Sequence, residues 1–190
     1  MTIRVFLLDD HALVRTGLRM ILSAQSDIEI VGEAESGEEA LPLIRSLKPD
    51  VVLCDLHLPG ISGLEVTERI VRAHARCRVV IVSVLEDGPL PKRLLDVGAS
   101  GYVGKGGDAG ELLNAVRNAV RGKRYLGSSI ARNMALASVG GDESPFDQLS
   151  PRELEVAMLL VQGLRQDAIA RRLSLSPKTV NTHKSRLFDK

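Results

Sequence analysis

The stretch DVVLCDLHLPGISGLE, residues 50–65, reads in order as a buried strand, a loop and the start of a helix. Val51, Val52, Leu53 and Cys54 form a short run of β-branched and apolar residues, as in a strand covered on both faces. Ser62 and Glu65 stand at capping-box spacing, so a helix is expected from about Gly63, with Leu64, Ile70 and Val71 as its apolar stripe. Between strand and loop lies one acid, Asp55.

Four more apolar runs share this character: IRVFLL (3–8), IEIVGEA (28–34), RVVIV (78–82) and GYVG (101–104). Segments of helical period separate them. The alternation predicts an α/β fold, a doubly wound five-stranded parallel sheet with helices on both faces. Asp9 and Asp10 follow the first run, Ser83 follows RVVIV and Lys105 follows GYVG. In a parallel sheet these residues and Asp55 gather at the carboxyl edge, where such sheets place their sites.

Three carboxylates meeting there would repel one another without a cation, which points to a hard, oxygen-seeking ion such as Mg²⁺. Lys105 and the Ser83 hydroxyl could hold an anion beside it. The set suits phosphoryl transfer to Asp55, a reaction carried mainly by positioning and charge stabilisation. Taken singly, each residue has a plainer reading. Asp9 or Asp10 could cap a helix opening at His11, and Lys105 could be a solvated charge. A self-standing phosphohydrolase with an Asp nucleophile would carry a second Asp two residues later; His57 occupies that position, which disfavours such an enzyme.

The strings VFLLDDH, VVLCDLHLPGISGLE, VVIVSV and GYVGK resemble the flavodoxin-like receiver domain of two-component response regulators, over residues 1–122. The resemblance implies that Asp55 accepts a phosphoryl group from a sensor histidine kinase. It implies that Asp10, Asp55 and the backbone carbonyl of His57 ligate Mg²⁺, with Asp9 acting through water. Lys105 would pair with the phosphoryl group, Ser83 would swing toward it, and Tyr102 would be the aromatic switch residue. Leu58 replaces the Met usual in such domains. Val84 stands where many have Ala, so it is expected to shield the acyl phosphate.

Other helix signals fill the gaps. Ser36 with Glu39 forms a capping box that starts a helix near Gly37, where Pro42 is expected to cause a kink or a late start. A helix from about Ala109 to Arg121 should turn Leu112, Leu113, Val116 and Val120 inward and end at Gly122. Residues 123–146 read as a linker containing a short helix at 128–138 and the Gly-, Ser- and Pro-bearing string VGGDESPF at 139–146.

The charge then changes sign. The chain carries 25 Lys/Arg against 24 Asp/Glu, yet residues 147–190 hold eight against five. In LSPRELEVAMLL, Ser150 and Glu153 form a capping box, Pro151 fits the first helical position, and Leu149 with Leu154 makes a hydrophobic staple. A helix over 151–162 ends at Gly163, a second covers 166–173, and a third starts at Pro177 behind a Ser176 cap, with Leu175 and Val180 as its staple. LSPRELEVAMLL and SLSPKTVNTHKSRLF resemble the LuxR-type helix-turn-helix of the NarL/FixJ response regulators.

Helical spacing puts Val180, His183 and Leu187 toward the core of this module, with His183 expected to be packed and hydrogen-bonded. Lys178, Asn181, Thr182 and Ser185 fall on the other stripe. The resemblance implies base reading by Asn181, Thr182 and Ser185, phosphate contacts by Lys178 and Lys184, and Thr179 and Arg186 within the same DNA-binding surface. The strings EDGPLP and SPFDQLS point to the GacA/UvrY branch. The resemblance also implies a fourth helix beyond Lys190, so the module reads as truncated before its last helix.

With 44% apolar residues the chain can bury a full core and a small second one. No apolar run approaches a membrane span, and the N-terminus lacks a signal layout; a cytoplasmic protein with no membrane partner is expected. Cys54 and Cys77 read as plain thiols. The expected protein is a response regulator that uses Mg²⁺, answers a histidine kinase, forms a phosphorylation-enhanced homodimer and binds promoter DNA. The alternative is a phosphotransfer or protein-binding module whose shortened C-terminal domain no longer binds DNA.

Overall fold

The computed structural model describes residues 2–74, 76–139, 149–161, 163–173 and 175–188. They fall into two compact units, Met1–Gly140 and Gly141–Lys190. The first contains β1 (Ile3–Leu8), α1 (Ala12–Ser23), β2 (Ile28–Ala34), α2 (Gly37–Leu47), β3 (Val51–Asp55) and α3 (Gly63–Ala73). It continues through β4 (Arg78–Ser83), α4 (Leu90–Val97), β5 (Gly101–Gly104), α5 (Ala109–Val120), β6 (Tyr125–Leu126) and α6 (Ser128–Val139). The second unit contains α7 (Pro151–Val161), α8 (Gln166–Arg172) and α9 (Pro177–Phe188).

The strands form one sheet in the order β2-β1-β3-β4-β5-β6, with every pairing parallel. Both faces are buried. Val5, Leu7, Leu53, Val80, Val82 and Val103 meet Leu18 and Leu22 of α1 and Leu112 and Val116 of α5, while Phe6, Leu8, Val52, Cys54, Ile81 and Tyr102 are also buried. Leu113 and Val120 lie half-buried against the first group. Continuous burial along β1, β3 and β4 explains why these strands read as unbroken apolar runs rather than alternating ones.

Five of the strands are those the sequence leads one to expect; β6 is additional. Its two residues pair with Gly101 and Tyr102 of β5. Both β6 and α6 lie in the 123–146 stretch expected as linker, yet they belong to the first compact unit, where Ile130 of α6 is wholly buried. Residues 140–148, with most of the string VGGDESPF, lie outside the described residues.

Helix starts follow the capping signals. Ser36 accepts from the Glu39 N–H and Ser62 from the Glu65 N–H, each at 3.3 Å. The late start expected from Pro42 does not occur: α2 begins at Gly37. Pro42 sits in its second turn, where its ring removes a single intrahelical donor. The carboxylate of Glu39 accepts from the Glu35 N–H, one residue before the cap. Gly122, at φ 72°, ends the α5 region in the left-handed conformation that glycine adopts without strain.

In the second unit Val156, Leu159, Ile169, Ala170, Leu173 and Val180 form a small core. The capping box of α7 is complete: Glu153 accepts from the Ser150 N–H at 2.8 Å, and Ser150 accepts from the Glu153 N–H at 3.3 Å. Leu149 and Leu154 of the predicted staple are both buried. At α9 the Ser176 hydroxyl accepts from the Thr179 N–H, and the Gln166 amide donates to the Pro177 carbonyl, bracing the turn between α8 and α9.

Candidate functional site

The strand order reverses at β1, which lies between β2 and β3. Leu8 pairs with Cys54 and Ser83 with Gly104, so the residues that end β3 and β4 and those just beyond β1 and β5 line up along one edge. That register brings Asp9, Asp10, Asp55, Ser83 and Lys105 to one edge from segments far apart in the chain.

Asp9 and Asp55 are almost fully buried, while Asp10 is exposed. The Lys105 ammonium lies between the buried pair, 2.7 Å from Asp9 Oδ2 and 2.8 Å from Asp55 Oδ2. Burial pushes the Asp55 carboxyl above the usual carboxylate range; Lys105 opposes this, Asp9 adds to it, and the His57 N–H helps to offset it. Burial would lower the Lys105 ammonium, but its bonds to Asp55 and Asp9 outweigh that and hold it above its ordinary value.

Donor atoms from Asp9, Asp10, His11 and Asp55 all lie within 4.8 Å of one another. Carboxylate oxygens at this spacing fit a hard divalent cation. Two residues that support them escape the sequence reading. Arg15 is buried, donates to the Asp9 carbonyl at 2.6 Å and pairs with Glu35, fixing the backbone that carries the acids. Gly63 approaches from the other side: a Cβ there would lie 2.1 Å from the Asp55 carbonyl oxygen. Any side chain at 63 would push α3 away from the end of β3.

Ser83 and Tyr102 are fully buried and are joined through one loop residue. Ser83 Oγ accepts from the Leu85 N–H at 3.1 Å, and the Tyr102 hydroxyl donates to the Leu85 carbonyl at 2.6 Å. The next residue, Glu86, is tied to α6, whose Asn133 amide donates to the Glu86 carbonyl at 3.1 Å. Val84, expected to shield the phosphoryl position, is 70% exposed and therefore unpacked in this state. Leu58, the Met replacement, is buried in the core.

On α9 Lys178, Asn181, Thr182, Ser185 and Arg186 are exposed, as are Pro177 and Phe188 at its ends, while Thr179 and Lys184 are half-buried. Val180 is buried and Leu187 packs on the small core, as the helical spacing predicts. Two hydroxyls already have local partners, Thr179 with Ser176 and Thr182 with the Lys178 carbonyl. His183 is half-buried as expected, but its buried Nδ1 has no hydrogen-bond partner among the described residues. Burial lowers its pKa, and the positive charges of Arg152 and Arg186 lower it further.

Residues 5–117 match the family described as response regulator receiver domain, and residues 147–190 match the bacterial regulatory proteins of the luxR family. The response regulator GacA of Pseudomonas viridiflava is 46% identical over 190 residues, 99% of this chain and 89% of that protein. UvrY of Escherichia coli K12 is 43% identical over 190 residues, 99% of this chain and 87% of the other. RcsB of Salmonella enterica serovar Typhimurium, solved on promoter P1flhDC with the phosphomimetic BeF3-, is 26% identical with a TM-score of 0.74, over 99% of this chain and 91% of that one. A further structure holds two RcsB dimers on two parallel DNAs, at 25% identity and a TM-score of 0.67, over 98% of this chain and 90% of that one. The chain belongs to the two-component response regulators of the NarL/FixJ type, transcription regulators that join a receiver domain to a LuxR-type DNA-binding domain.

Proposed function

We propose that Asp55 is the phosphoacceptor of this receiver and that its phosphorylation by a sensor histidine kinase controls promoter binding by α9. One observation carries the reading: a half-buried lysine ammonium bridges two buried carboxylates at the carboxyl edge of the sheet. An Asp55 oxygen attacks phosphorus as the bond to the donor histidine nitrogen breaks. Lys105 exchanges its bond to Asp55 Oδ2 for one to the transferred group, keeping an ammonium beside the charge as it moves. Asp10, Asp55 and the His57 carbonyl would hold Mg²⁺, with Asp9 acting through water; the ion supplies charge neutralisation at the phosphoryl oxygens.

The modification adds about −1.5 to −2 charge at the sheet edge. Ser83 leaves the Leu85 N–H to bond the phosphoryl group, and the Leu85 carbonyl held by Tyr102 is then free to move. That shift favours a homodimer on promoter DNA; RcsB has been solved as dimers on DNA and on a promoter with a phosphomimetic. On α9, Asn181, Thr182 and Ser185 read bases, while Lys178, Lys184 and Arg186 meet phosphates and Thr179 holds the helix start. The work is done in the cytoplasm, where kinase, Mg²⁺ and DNA meet.

Acetyl phosphate labelling followed by intact-mass analysis tests the first step. Wild type should gain one phosphoryl group only with Mg²⁺, Asp10→Ala should gain little, and Asp55→Ala none. Undiminished labelling of Asp55→Ala would sink the assignment.

A further inference from the structure

The acidic edge contains a nitrogen donor that its chemistry as an oxygen site does not require. His11 is the N-cap of α1 yet makes no side-chain cap bond. Its imidazole is instead turned to the acids, with Nδ1 2.7 Å from Asp10 Oδ1 and 3.3 Å from Asp9 Oδ1. The side chain is 57% exposed, so neither core packing nor lack of room holds it there. The backbone assists: Asp9 Oδ1 accepts from the His11 N–H at 2.8 Å, which locks the turn that carries the ring.

Donor type governs which ion such a cluster prefers. Mg²⁺ takes oxygen ligands and seldom exchanges them for imidazole, whereas Mn²⁺ and the later first-row ions accept mixed nitrogen and oxygen sets. One imidazole and three carboxylates, with donor atoms within 4.8 Å, form a mixed set.

We propose that His11 Nδ1 is a direct metal ligand of this site, which makes the receiver bind Mn²⁺ and other borderline divalent ions more tightly than Mg²⁺. The inference rests on the acidic edge being the receiver's cation site. It adds metal selectivity, set by a residue outside the expected ligand group. Because His11 contributes no cap bond, its replacement leaves the start of α1 intact, and the effect on metal is separable from folding.

The test is direct Mn²⁺ binding by the full-length, untagged chain without any phosphodonor, read by electron paramagnetic resonance. Pulsed spectra of the Mn²⁺ form should show ¹⁴N coupling of an imidazole. His11→Ala and His11→Gln should lose that coupling and weaken Mn²⁺ about tenfold or more, while Mg²⁺, measured by calorimetry, should weaken much less. Unchanged circular dichroism would show that both variants fold.

Absence of ¹⁴N coupling in wild type would overturn the proposal, as would undiminished Mn²⁺ affinity in both His11 variants. Asp10→Ala and Asp55→Ala separate the two levels. If they abolish Mn²⁺ binding while the His11 variants retain it, the acidic site stands and His11 is not its ligand. If none of the four variants weakens Mn²⁺, the site assignment falls as well.

Discussion

His183 lies on the inner stripe of α9 with its Nδ1 buried and unpartnered among the described residues, and its pKa is lowered by burial and by Arg152 and Arg186. The folded unit therefore prefers the neutral ring. Below the ordinary value of 6.5 the unfolded chain takes up a proton that the folded unit resists, so stability falls as pH drops through that window. The thermal midpoint of the second unit should fall between pH 7.5 and pH 5.5, and His183→Gln should flatten that dependence. An equal fall in the variant would remove His183 as its cause. The stripe that carries His183 follows from spacing alone, whereas the missing partner does not, because it depends on how α7 and α9 meet. Arg15 and Gly63 were illegible for the same reason. Their importance lies in contacts with the Asp9 and Asp55 carbonyls, and one residue type at one position says nothing of such an approach.

Among the elements, α9 offers the sharpest division of labour. Asn181 and Ser185 are exposed four residues apart, with short polar side chains suited to base edges once a helix enters the major groove. Lys184 is half-buried beside them and carries a longer cationic arm. Asn181→Ala should weaken a duplex selected by the protein from a random pool by roughly 1–3 kcal/mol and spare random duplex. Lys184→Ala should weaken both alike and lower the slope of log affinity against log salt by about one. Titration of the full chain at several salt concentrations checks both, and an equal loss on both duplexes for Asn181→Ala would withdraw it from base reading. Elements with a strong local signal were legible: β1, β3 and β4 through unbroken apolar runs, and α2, α3 and α7 through capping serines. The short α4 was not, since Pro89 and Pro91 hide its start. Neither was β6, whose two residues become a strand only by pairing with β5.

At the scale of the molecule, β6 and α6 extend the first compact unit to Gly140. Ile130 is completely buried, and removing such a side chain typically costs about 2–5 kcal/mol. A fragment ending at residue 122 should therefore be less stable to urea than one ending at 140, by at least about 2 kcal/mol. Equal stabilities would mean that α6 contributes nothing to the receiver. The composition shift toward Gly, Ser and Pro marked where apolar patterning ends, but the buried face of α6 carries too weak a stripe to announce that it docks.

The bond from Asn133 to the Glu86 carbonyl gives that docking a further meaning. Glu86 adjoins Leu85, which both Ser83 and Tyr102 hold, so the last helix described in the first unit grips the loop proposed to answer the phosphoryl group. On that proposal linkage makes the grip two-way, because whatever phosphorylation does to the equilibrium of α6, a load on α6 does in return to the phosphorylation equilibrium. A promoter that loads this helix through the following chain would shift the balance between the phosphorylated and unphosphorylated forms. The strength of the signal would then be written partly in the DNA that receives it.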